Sequence, residues 1–162
     1  MSIMFSYIYA RAYWAWALVI LIGCIFLGAW YYSPSTTACP IGTHILRFEK
    51  PIFVTLRTTQ SEQAEGLSGK ESLADDEGML FVFDTIGSRK FWMKDMRFAI
   101  DIISLDTDLR VAGIMRNVTP ESYPAVFPTP ENMRYVLEVV SGYAEKEGVT
   151  VGGTAVLSPC PS

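Results

Sequence analysis

The chain has 162 residues, 50% of them hydrophobic, with a mean hydropathy of +0.25 and a formal net charge of −4. That length holds one domain and an appendage, and the hydropathy is high for a soluble globule. With Arg11 set aside, 12 Lys and Arg face 17 Asp and Glu; so acidic a chain repels phosphate backbones, and no nucleic acid partner is expected.

The apolar excess sits at the front. Residues 1–32 contain one charged side chain, Arg11, and about 20 apolar residues in a helix cross the hydrocarbon core of a bilayer. Tyr13, Trp14 and Trp16 at one end and Trp30, Tyr31 and Tyr32 at the other flank residues 17–29 like two interfacial belts. An N-terminal transmembrane helix is therefore expected within residues 1–32, meeting the lipid bilayer through residues 12–32. Arg11 and the N-terminal amine precede the span, and residues 33–45 carry no Lys or Arg. The positive-inside rule then keeps the N-terminus cytoplasmic and puts the remainder on the periplasmic or extracellular side. Leu21-Ile22-Gly23-Cys24 resembles a bacterial lipobox, so a lipoprotein acylated at Cys24 is the alternative; a cleaved signal peptide would need an Ala-x-Ala-like site. Residues 33–42 read as a short linker and 43–162 as the exported domain.

Along that domain, residues 43–49 and 51–58 alternate in the period of strands. Residues 61–65 read as a capped helical turn that Gly66 ends. The unbroken apolar run 78–83 is the pattern of a strand buried on both faces. Strands are expected at 90–93, 99–105 and 109–118, the last two joined as a hairpin through Asp106-Thr107-Asp108. Residues 123–132, rich in proline, read as a loop. Residues 134–140 form a further strand, 141–147 a short helix stopped by Gly148, and 150–157 the last strand. The expectation is a mainly β, small closed or nearly closed β-barrel-like domain with two short helices. Cys39 opens the domain and Cys160 nearly ends it; a disulfide between them would stabilise by roughly 4–5 kcal/mol in the chain-entropy model and would persist in an oxidising compartment.

In these segments the order Gln63-x-x-Gly66-Leu67, Leu73, Gly78-Met79-Leu80-Phe81-Val82-Phe83, Phe91-Trp92-Met93-Lys94, Asp101-Ile102, Tyr135-Val136-Leu137-Glu138 and Gly142 resembles the domain-of-unknown-function family 192 (uncharacterised protein family 0127) over about residues 52–158. The resemblance implies a compact β domain, often behind a signal or membrane anchor, and assigns no activity. Ser68 stands where methionine commonly follows Gly-Leu, Asp95-Met96 where Asn-Thr is common, and Ala99-Ile100 where Pro-Leu usually precedes the aspartate.

Residues 89–97 form a cationic island around Trp92 in an acidic domain. A ring face beside cations suits an anionic or sugar-like ligand, with Trp92 as a stacking surface and Lys94 as a donor; Asp95, Asp101 and Glu138 are the further candidates. The competing structural reading makes Trp92 core and pairs Lys94 with Asp101 or Glu138. His44 is the single histidine, so nucleophile schemes and zinc sites lack partners, and no metal site or cofactor is expected. Two functional classes follow: an extracytoplasmic module binding a small polar ligand or a protein partner, or a small hydrolase or transferase using Lys94 with Asp95, Asp101 or Glu138. Copper handling through Met79, Met93, Met96, Met115 and Met133 with His44 is a remote third.

Overall fold

The computed structural model describes residues 43–160. The expected anchor, the linker, Cys24 and Cys39 lie outside them. The described chain runs β1 (Thr43–Arg47), β2 (Pro51–Arg57), α1 (Gln60–Glu65), β3 (Glu77–Val82), β4 (Lys90–Phe91), β5 (Ile100–Leu105) and β6 (Val111–Val118). A 3-10 turn (Pro120–Ser122), β7 (Phe127–Pro128), β8 (Tyr135–Val140), α2 (Tyr143–Lys146) and β9 (Val156–Pro159) complete it.

Seven strands form one sheet in the order β6-β5-β8-β3-β2-β1-β9, and β4 pairs with β7 in a separate two-residue ribbon. All neighbours are antiparallel except β2 and β3. Parallel neighbours need a crossover, and the connection through α1 supplies it. The helix is set by a capping box: Thr59 Oγ1 accepts from the Glu62 amide, and Glu62 Oε2 accepts from the Thr59 amide. Donation to its Oε2 from the Thr59 amide, the Thr59 hydroxyl and the Thr58 amide holds the Glu62 carboxyl below its usual range. The apolar run expected to be buried on both faces is β3, which lies inside the sheet between β2 and β8.

The sheet is open, not closed. Its edges are β6 and β9, tied at one end by an isolated Arg110–Thr154 bridge. The expected strand over 150–157 fails in its first half because the chain turns there: the Gly153 amide donates to Thr150 O, and Gly152 has a φ of 90°. Extended pairing resumes only at Val156.

Side-chain alternation divides the interior in two. Leu80, Ile103, Leu105, Leu137 and Val139 pack on one face under Tyr143, Ala144 and Val149. Met79, Phe81, Ile100, Ile102 and Val136 pack on the other, beneath Leu67, Phe91, Met93 and Met133. Each fully buried side chain of this size contributes about 1.5–3 kcal/mol relative to exposure. The second face carries the candidate site.

Candidate functional site

On β8, alternation sends Leu137 and Val139 to the first face and Glu138 to the second, across from Met79 of β3 and Ile102 of β5. Strand β8 is interior to the sheet, so Glu138 is only 6% exposed. Its Oε2 has no hydrogen-bond partner. Burial away from water disfavours the charged form and pushes the Glu138 carboxyl up to about 8. At neutral pH it is therefore a neutral acid.

A cavity of about 230 Å³ opens in front of this carboxyl. Its wall includes Phe81, Phe83, Phe91 and Trp92, with Gln63 and Gly66 on the α1 side and Arg89 and Lys90 on the β4 side. Phe91 meets Phe81 edge-on at 5.4 Å, and Phe83 stacks on Phe81 at 6.4 Å between ring centres. Gly66 ends α1 with φ 52° and ψ −131°, a conformation costly for any residue with a Cβ. A Cβ there would lie 3.4 Å from Phe81 Cζ and 3.9 Å from Glu138 Oε2. The backbone thus passes close to the acid, and the absent side chain keeps the cavity open.

The polar groups beside Glu138 are mostly committed. Gln63 Nε2 donates to Val82 O at 2.9 Å and to Arg57 O at 3.3 Å. Arg89 lies over the Phe83 ring at 4.8 Å, donating from Nη1 to Ser88 O and from Nη2 to Thr85 O and Oγ1. The ribbon is anchored by Arg89 N to Thr129 Oγ1 at 2.8 Å and Ser88 Oγ to Thr129 O at 2.6 Å.

The five residues singled out from sequence fall into three places. Trp92 and Glu138 share the cavity. Trp92 is 48% exposed while Phe91 and Met93 are buried, so alternation turns it outward and the core reading of Trp92 is wrong. Lys94 and Asp95 are exposed on the following turn and do not line the cavity. Ser68 Oγ donates to Lys94 O at 3.0 Å, and the Gly69 amide to Asp95 O at 2.9 Å. Asp101 is fully buried on the opposite face, its Oδ1 accepting from the Asn117 amide and its Oδ2 from the Ala144 amide, each at 2.9 Å. It caps α2 and fastens β6. Lys94 forms no ion pair with Asp101 or Glu138 among the described residues. The constellation of Lys94 with three carboxylates is not assembled.

Met79, Met93 and Met133 are buried in the apolar layer, and Met96 and Met115 pack against it. His44 stands on β1, where its partners are Val54 and Pro159. These methionines fill core space. Cys160 Sγ lies 3.3 Å from Thr43 Oγ1.

Residues 44–157 match the family model described as DUF192, uncharacterized ACR, COG1430. The chain belongs to the DUF192 family. No curated protein matches it. Among solved structures, it is similar to a Sinorhizobium meliloti 1021 protein provisionally described as a transcription regulator. That pair shares 27% identity at a TM-score of 0.66, covering 71% of this chain and 92% of the other. It is also similar to a protein of unknown function from Novosphingobium aromaticivorans DSM 12444. There the identity is 28% and the TM-score 0.65, over 70% of this chain and 83% of that one. Membership of DUF192 brings no reaction with it.

The sequence does not by itself place Gln63 and Gly66 of the α1 segment, or the rings of Phe81, Phe83 and Phe91, at the cavity. Gln63-x-x-Gly66 is visible as a motif, and a glycine directly after a helical turn signals a positive φ. Nothing in a linear pattern showed that this turn would cover β8.

Proposed function

We propose that this DUF192 protein is a membrane-anchored, extracytoplasmic module that binds a small polar ligand in the Glu138–Trp92 cavity. The observation that carries the binding reading is Glu138 itself: a buried carboxyl with an unpartnered oxygen at the base of a ring-lined cavity. Buried polar groups are nearly always hydrogen-bonded, and one left open beside a cavity is explained by a ligand that completes it. Trp92, half exposed at the same cavity, offers a stacking face. The hydrolase or transferase alternative is weaker, because Asp101 is spent on backbone amides across the sheet and Lys94 and Asp95 stand outside the cavity.

The address rests on the sequence: the apolar stretch 12–32 between aromatic belts, the absence of cations just after it, and the pair Cys39 and Cys160. In this reading the domain sits close to the bilayer, since the linker is about ten residues long. A protein partner would compete for the same exposed Trp92 surface.

Native mass spectrometry of the full-length protein purified from its own host tests the binding reading. Wild type is expected to carry a small-molecule adduct that Trp92→Ala loses while remaining folded. Identical spectra without adduct from both proteins would end the reading. Protease added to spheroplasts tests the address, which fails if the C-terminal domain is spared.

A further inference from the structure

The commitments of the polar and charged groups that line the cavity narrow the ligand. Arg89 has its guanidinium N–H groups on Ser88 O, Thr85 O and Thr85 Oγ1. Gln63 has its amide nitrogen on Arg57 O and Val82 O. Lys90 is exposed at the rim. Only Glu138 offers a buried, unpartnered polar atom. A polyol would need several partners at the floor, and an anion would meet a carboxyl that gains nothing by ionising against it. A cation reverses both objections. It donates to the carboxyl, converts the neutral acid to a carboxylate, and meets the negative faces of the surrounding rings. Arg89 over Phe83 already shows that this aromatic wall accepts a cation.

Resting on the binding reading above, we propose that the cavity receives a small protonated organic amine, its ammonium donating to Glu138 Oε2 beside the rings of Phe81, Phe91 and Trp92. Binding displaces the Glu138 proton to solvent. The other charges around Glu138 are few. From α1, Glu65 lies at the rim; from β4 and the loop before it, Lys90 and Arg89. Arg57 of β2 is engaged with Met79 Sδ at 3.4 Å. Asp101 of β5 faces the other side. Burial is what holds the carboxyl neutral.

The test is calorimetry on the full-length protein in non-ionic detergent, with n-butylammonium as probe and n-butanol and n-butyrate as controls of equal length. With the acid at about 8, the ionised fraction rises about 90-fold between pH 6 and pH 9, and butylammonium affinity should rise with it. Repeating the titration at pH 7 in two buffers of different ionisation enthalpy should reveal the release of about one proton per amine bound. Glu138→Gln should abolish butylammonium binding while its urea midpoint stays at or above wild type. Preference for butanol or butyrate, with affinity falling as pH rises, overturns the amine and leaves the cavity as a binding site. Equal butylammonium affinity in Glu138→Gln, or no binding of butylammonium to folded wild type, also overturns it.

Discussion

Replacing Glu138 by glutamine should make this protein more stable, and increasingly so as pH rises. The carboxyl titrates near 4.5 in an unfolded chain and at about 8 in the folded one, because burial penalises its anion. Between those values the unfolded state has released the proton and the folded state has kept it. The native state therefore binds more protons, and stability falls as pH increases through the window. At about 1.4 kcal/mol per pH unit, the wild type forfeits about 3 kcal/mol by pH 7 and about 4 kcal/mol by pH 8, where the folded carboxyl is itself half ionised, relative to pH 4.5. Glutamine keeps the shape and a neutral polar tip, so it removes the pH-dependent part alone. Urea denaturation of both full-length proteins at pH 4.5, 6, 7 and 8, read by near-UV circular dichroism, measures the difference. The two should agree within about 1 kcal/mol at pH 4.5 and diverge by several at pH 8. Parallel pH profiles would refute the claim that Glu138 is buried without a partner.

Asp101→Ala should destabilise by about 2–5 kcal/mol, since it strands the Asn117 and Ala144 amides in the interior; the urea midpoint checks it. Gly66→Ala should cost about 1–3 kcal/mol for the positive φ and should also lower occupancy of the cavity, seen as loss of the native adduct. Lys94→Ala and Asp95→Ala should change stability by no more than about 0.5 kcal/mol and leave the adduct in place, because both side chains are exposed outside the cavity.

Strand positions were legible wherever one period ran unbroken. The apolar run at β3 and the alternation in β1 and β2 appear within two residues of expectation. Failures came where tertiary context decides. Residues 90–93 pair only at Lys90 and Phe91, since their partner is a two-residue stretch of a proline-rich loop. The turn at Gly152 replaces the start of the last strand, and the sheet is open rather than closed. Trp92 and Glu138, far apart in sequence, line one cavity. Asp101 lies apart from them, because its register against β8 puts it opposite Val139 on the far face. Lys94 drew attention through charge density alone, and charge density says nothing about which way a turn points.

The most direct measurement is the pH titration of the Glu138 side-chain carboxyl by carbon-13 NMR, in the free protein and with n-butylammonium added. A midpoint at about 8 that falls when the amine binds is the predicted result. A midpoint near 4.5 in the free protein would contradict it, because the carboxyl would then be solvated or paired and the cavity would have no open acid at its base.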